Sequence, residues 1–281
     1  MAGRGDDPAG IVAALAAQAR RAETPCGDGW MLWHEWGKGA PLVLLHGGYG
    51  SWTHWLRNIP ALAARRRVIA ADLPGCGDSA SAPEPYTAES LAAIVGDGIR
   101  RVLPDGEAFD LVGFSFGGLL GGHVAAGFGA RCRTLVLVGA GGLGLPRSAV
   151  APLRSWRGVA GHEARAEIHR GNLAMLMLAD PARIDALAVH LQALNAERGR
   201  TKSPLIAATD TLARVLPRVA ARLAGIWGER DATAMADLAA RARLLRAVQP
   251  GAPFLVIAGA GHWVQYEAAD AFDAALLQLL G

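Results

Sequence analysis

A serine flanked by glycines, in Gly113-Phe114-Ser115-Phe116-Gly117-Gly118, joins an apolar run to a helix-like stretch, and this junction narrows the possible folds most. Before it, Asp110-Leu111-Val112 reads as a buried strand; after it, 116–129 reads as a helix. A chain that passes from strand to helix at one residue makes a tight, strained turn, and the flanking glycines remove side chains that would clash there. The serine oxygen is therefore expected at the carboxyl edge of a sheet, beside a helix N-terminus.

The rest of the chain repeats the alternation. Short apolar runs at 31–36, 41–45, 68–71, 110–114, 135–138, 223–227 and 254–258 are the expected strands. Runs such as Leu42-Val43-Leu44-Leu45 are continuously apolar, as strands of a parallel sheet covered on both faces should be. Helices are expected near 51–64, 87–101, 116–129, 234–248 and 268–280. From Pro146 to Pro217 no strand pattern is found, and a helical insertion of ~70 residues is too long for an ordinary connection. The expected fold class is α/β: a mostly parallel sheet flanked by helices, formed by 30–145 and 218–281. A helical cap, 146–217, interrupts it, and 1–29 is expected to be an N-terminal helical extension. A helical subdomain with no catalytic role is the alternative reading of the insertion.

Composition removes several classes. No apolar run reaches the ~18 residues of a membrane span, and the Ala-rich stretch 9–19 follows Asp6-Asp7 rather than a basic start, so an amphipathic helix is favoured over a signal segment. The net charge of +3 is spread along the chain. Its one dense run, Arg65-Arg66-Arg67, reads as a helix end where cations oppose the dipole, so nucleic acid is not an expected partner. Cys26, Cys76 and Cys132 are odd in number and lack metal-ligand spacing, which fits a reducing cytoplasm. The expected partners are a small-molecule substrate and, at most, a second copy in a homodimer, with no membrane.

A serine is a poor nucleophile until a base takes its proton and a third group orients that base. Candidates should follow later strands. Ile226-Trp227-Gly228-Glu229-Arg230-Asp231 supplies Asp231, with Glu229 and Asp237 as competitors, and Gly259-Ala260-Gly261-His262 supplies the base. The charge formed when serine attacks a carbonyl needs fixed N–H donors. The turn His46-Gly47-Gly48-Tyr49-Gly50 offers the Gly48 amide, to be paired with the Phe116 amide; it lacks the spacing and lysine of a phosphate loop. His46 is expected to be structural. Aromatic residues around these turns, His54 and Phe114 among them, are candidate walls of an apolar substrate site, or simply core.

Together the His46-Gly47-Gly48 turn, the Asp72–Ser79 segment, the serine elbow, Asp231 and His262 resemble the α/β-hydrolase superfamily, from about Trp30 onward. The resemblance implies a Ser115–His262–Asp231 triad and no metal or organic cofactor, and makes the Asp72 segment structural. A serine nucleophile argues against the dehalogenase and epoxide-hydrolase branches. Gly261-His262-Trp263-Val264-Gln265-Tyr266-Glu267 and Arg57-Asn58-Ile59 resemble the meta-cleavage-product hydrolases, which break a carbon–carbon bond in dienoates; this implies that Trp263 lines the substrate pocket. Three positions depart from that group. Gly47-Gly48-Tyr49-Gly50 lacks its proline, Phe114 replaces an asparagine, and the cap positions nearest its substrate-binding arginine read His190 and Gln192, with Arg183, Arg198 and Arg200 as substitutes. The expected activity is hydrolysis of a small, largely apolar carboxylic ester through an acyl-enzyme. The alternative is carbon–carbon cleavage of a dienoate, and a non-catalytic ligand-binding member of the fold stands behind both.

Overall fold

In the computed structural model, which describes residues 7–146, 148 and 151–281, eight strands form one sheet. They are β1 (Arg20–Cys26), β2 (Gly29–Trp36), β3 (Pro41–Leu45), β4 (Arg67–Ala71), β5 (Phe109–Phe114), β6 (Cys132–Val138), β7 (Arg222–Gly228) and β8 (Phe254–Ile257), in the spatial order β1-β2-β4-β3-β5-β6-β7-β8. The pairs β1/β2 and β2/β4 are antiparallel and the remaining five are parallel. Every residue of β3 and β5 is buried, as continuous apolar runs in a doubly covered sheet must be.

Helices cover both faces: α1 (Pro8–Ala16), α2 (Ile59–Ala63), α3 (Ala88–Val102) and α4 (Phe116–Phe128) come before β6 ends. Between β6 and β7 lie α5 (His162–Asn172), α6 (Ala186–Arg198), α7 (Ser203–Ala207) and α8 (Thr211–Val215), with no strand among the described residues of this stretch. Then come α9 (Leu238–Val248), α10 (Val264–Glu267) and α11 (Ala269–Leu280). The ends of α3 follow from its sequence. Thr87 and Ser90 form a reciprocal capping box, while Glu89 in the first turn and Arg100-Arg101 in the last oppose the dipole.

Register decides where the chemistry goes. Leu45 pairs with Gly113, Phe114 with Val138, Val138 with Ile226, and Gly228 with Ile257, so these strands end together at one edge. The turns after them converge there. Helix α4 can start at that edge only because Gly117 has no side chain: a Cβ would lie 2.6 Å from the Leu45 carbonyl carbon and collide with the oxygens of Leu45 and His46.

Two expectations are corrected. The segment 1–29 is not wholly helical: α1 is followed by β1, which hydrogen-bonds to β2. Its sequence, Arg-Arg-Ala-Glu-Thr-Pro-Cys, buries only Thr24 and Cys26, so an edge strand with a polar outer face left no apolar alternation to read. The helix expected over 51–64 is split into a 3-10 turn at Trp52–Trp55, capped by Ser51, and α2. Pro60 explains the break, because it has no N–H to bond the carbonyl four residues back and so fits only the first turn of a new helix. Residues 1–6 of the expected extension, and 147, 149 and 150 of the expected cap, lie outside the described residues.

Helix α11 packs on α2 through a buried polar pair, Asn58 Nδ2–H donating to Asp273 Oδ1 at 2.9 Å. Burial raises the Asp273 carboxyl to about 7, and Asn58 Oδ1, buried beside it, has no donor among the described residues. A raised folded-state value means that the folded chain holds a proton that the unfolded chain releases near 3.8. The stability from this site is therefore complete below pH 4 and is lost as pH rises through 7. Asp273→Asn should match wild type in chemical denaturation near pH 4, exceed it near pH 8, and flatten the slope between. An unchanged slope would contradict the assignment.

Candidate active site

Ser115 occupies the turn between β5 and α4 at φ 51 and ψ −109, a conformation that an L-residue keeps only when its surroundings enforce it. Its N–H donates to Val138 O at 2.8 Å, which locks the turn to β6. Asp231 follows β7 and His262 follows β8, and the shared strand edge brings both to the serine. His262 Nε2 lies 3.0 Å from Ser115 Oγ, and His262 Nδ1 lies 2.9 Å from Asp231 Oδ2. The network assigns the tautomer: Nδ1–H donates to the carboxylate and Nε2 is left to accept from the serine hydroxyl.

Asp231 is wholly buried. Burial opposes its charge, but the attraction of His262 and hydrogen bonds from His262 and Thr233 outweigh that and hold the carboxyl below its usual range. Its second oxygen, Oδ1, accepts from Thr233 N–H and Oγ1–H, both at 2.8 Å. Of the competing acids, Glu229 Oε2 accepts from Gly259 N–H and Asp237 Oδ1 caps α9 at Ala240 N–H, so neither faces the histidine ring.

The Gly47–Gly48 turn lies against the elbow. A Cβ on Gly47 would sit 3.3 Å from Ser115 Cβ and 2.9 Å from the Phe114 ring. Neither the Gly48 nor the Phe116 N–H has a hydrogen-bond acceptor among the described residues. Tyr49, next in the turn, is held at φ 49. His46 is fully buried and used at both nitrogens, Nδ1–H donating to Gly47 O at 2.7 Å and Nε2 accepting from Leu73 N–H at 2.9 Å. Burial lowers it to about 4, so it is a neutral brace for the turn.

A small cavity of about 40 Å³ opens on the pair, lined by Ser115, His262, Gly139, Gly141, Ala207 and Arg241 among others. The three candidate substrate-contact residues are not among its walls. Trp263 donates its indole N–H to His54 O at 3.0 Å and stacks on Tyr266, with ring centroids 4.2 Å apart. His54 accepts from Gly47 N–H at 3.3 Å, and burial pushes it well below the usual histidine range. Phe114 lies 5.0 Å from the His262 ring, centroid to centroid. All three are buried and pack behind the histidine. The three arginines of the insertion considered as carboxylate ligands are also engaged elsewhere. Arg198 pairs with Asp78 at 2.6 Å, Arg200 bonds to Ser79 O and Ser81 Oγ, and Arg183 is 4.0 Å from Asp180.

Sequence reasoning missed the loop after β6 and the role of Glu267. The glycine run Gly139-Ala140-Gly141-Gly142 was a readable sign of close approach. Its use is to seat His262, since a Cβ at Gly139 would come 3.2 Å from the imidazole. Glu267 could not be placed from sequence. Its buried carboxylate accepts from Gly261 N–H at 2.6 Å on the histidine turn, and from Ala179 and Asp180 N–H at 3.1 and 2.6 Å on the insertion. Among the described residues no cluster of His, Cys, Asp or Glu has the arrangement to hold a metal.

The family described as the alpha/beta hydrolase fold matches residues 40–167. A 2-hydroxy-6-oxononadienedioate/2-hydroxy-6-oxononatrienedioate hydrolase of Paraburkholderia phymatum is 30% identical over 254 residues, covering 85% of this chain and 86% of that one. The dihydrolipoyllysine-residue acetyltransferase component of an acetoin cleaving system from Pseudomonas putida is 33% identical over 260 residues, covering 88% of this chain. A pimeloyl-[acyl-carrier protein] methyl ester esterase of Aeromonas hydrophila is 40% identical over 107 residues, 36% of this chain. The matched stretch spans less than two-thirds of these last two relatives, 66% and 38% of their lengths. The chain belongs to the α/β-hydrolase family.

Removing the Glu267 carboxylate would leave three N–H groups without their acceptor and loosen the histidine turn. Glu267→Ala should lower the unfolding free energy by at least about 2 kcal/mol. It should also slow the reaction of Ser115 with a fluorophosphonate. Asp97→Ala, which breaks an exposed pair with Arg100, should cost less than about 0.5 kcal/mol. Equal effects from the two variants would refute the positioning role of Glu267.

Proposed function

We propose that this protein is a serine hydrolase that cleaves a small, largely apolar carboxylic ester through an acyl-enzyme. The observation that carries the reading is the unbroken line Ser115 Oγ–His262–Asp231, at 3.0 and 2.9 Å, with Ser115 and His262 on the wall of a small cavity. The ester relative gives further support, and an ester needs nothing beyond these groups.

In the proposed mechanism, His262 Nε2 takes the Ser115 proton as the hydroxyl oxygen attacks the ester carbonyl. Asp231 does not take a proton; it holds the imidazole in place and stabilises its positive form. The Gly48 and Phe116 N–H groups receive the negative charge on the carbonyl oxygen, where removal of one such donor costs about 10²–10³-fold in kcat in a well-studied protease. The alcohol leaves with the proton from His262. A water, deprotonated by the same nitrogen, then releases the acid. The cavity is small, about 40 Å³, which suits a short acyl group. The insertion acts as its cap, through Ala207 on the cavity wall. The buried free thiols of Cys26, Cys76 and Cys132 are in keeping with a cytoplasmic protein.

The second reading, carbon–carbon hydrolysis of a dienoate, is favoured by the Paraburkholderia relative. The buried place of Trp263 and the engagement of Arg183, Arg198 and Arg200 weigh against it. Steady-state assays with a short p-nitrophenyl ester and a 2-hydroxy-6-oxo-dienoate side by side decide between them. The ester should have the higher kcat/KM, and Ser115→Ala should reduce its turnover to near background with the melting temperature unchanged. Preference for the dienoate would select the second reading, and retained turnover in the variant would remove Ser115 as nucleophile.

A further inference from the structure

A side chain grown on Gly48 would run into the hydroxyl of Ser203, with Ser203 Cβ 3.1 Å and Phe116 Cβ 3.9 Å from the same point. Ser203 belongs to the insertion, at the first residue of α7. Its hydroxyl nonetheless fills the place where a side chain of the oxyanion turn would project. The residue is only 2% exposed, and its hydroxyl has no hydrogen-bond partner among the described residues. The hydroxyl, left open against the oxyanion turn, is free to donate to a partner from outside the chain.

The backbone around it is fixed. Ser203 N–H donates to Thr201 O at 2.8 Å, Thr201 Oγ1–H to Pro74 O at 2.6 Å, and Arg200 N–H to Gly75 O at 2.7 Å. These bonds dock the segment on the core and hold the hydroxyl at the turn.

We infer that Ser203 is a third hydrogen-bond donor to the substrate's carbonyl oxygen, supplied by the insertion. The inference rests on the serine-hydrolase reading. When Ser115 Oγ adds to the carbonyl carbon, the carbon–oxygen π pair moves onto the oxygen and the serine proton passes to His262 Nε2. Collapse returns that pair, breaks the bond to the alcohol oxygen, and sends the His262 proton to the leaving group. Ser203 keeps its own proton throughout and only donates a hydrogen bond. That bond is stronger to the charged oxygen than to the neutral carbonyl, so its contribution falls on the transition state rather than on ground-state binding. The oxyanion site is then complete only while the insertion is docked.

The test compares the full-length wild type with Ser203→Ala and Ser203→Thr. It measures p-nitrophenyl acetate kinetics, the affinity for an aliphatic trifluoromethyl ketone that forms a tetrahedral adduct with serine, and fluorophosphonate labelling of Ser115. Ser203→Ala should lower kcat about 10- to 100-fold, change KM by less than about threefold, and weaken the ketone by the same factor as kcat. Melting should be unchanged, and Ser203→Thr should restore part of the loss. A Ser203→Ala enzyme with full kcat, or one that loses kcat while binding the ketone normally, would overturn the inference with the hydrolase reading intact. A wild type that neither labels at Ser115 nor hydrolyses any ester would overturn both.

Discussion

Everything at the candidate site depends on how closely the first turn of α4 approaches the ends of β3 and β5. Gly117 meets the carbonyls of Leu45 and His46, and Gly113 meets the backbone of Gly118. With side chains at these positions α4 would stand off from the sheet, and Ser115 would have no reason to be held at φ 51. The same contact sets the Gly47–Gly48 turn beside the serine. Ser115 and the Gly48 and Phe116 amides are thus placed by one packing event, before any side-chain hydrogen bond is considered.

The histidine is placed by a second, separate set of bonds. Glu267 ties the turn that carries His262 to the insertion, and Trp263 N–H donates to Met177 O at 2.8 Å. Tyr266 Oη–H donates to Asp185, the residue that caps α6, at 2.6 Å, and Arg57 pairs with the same carboxylate. The insertion is therefore part of what positions His262, and it also contributes Ala207 to the cavity wall. Loss of its docking would disturb the placement of His262.

Much of this was legible in the sequence, for identifiable reasons. Continuous apolar runs such as Leu42–Leu45 announce strands buried on both faces, and the Gly-x-Ser-x-Gly junction announces the turn at Ser115. Ser115, Asp231 and His262 each follow a strand, so sequence order alone brings them to one edge once the sheet is parallel. What was not legible depends on contacts across the chain. The polar edge strand β1 carries no periodic signal. Trp263, His54 and Phe114 are the residue types that line an apolar pocket, yet they form the packed backing of His262, and composition does not separate the two roles. The partners of Glu267 and Ser203 lie 87 and 155 positions away in the chain, at Asp180 and Gly48, and no local pattern connects them.

The central claim is that Ser115 carries the acyl group during turnover. Rapid quenching of the wild type with a short p-nitrophenyl ester, followed by peptide mass mapping, tests it directly. The account predicts a mass increase equal to the acyl group on the peptide that contains Ser115, formed and lost at rates that match turnover. Turnover with no acylated Ser115, or with the acyl group on another residue, would contradict it.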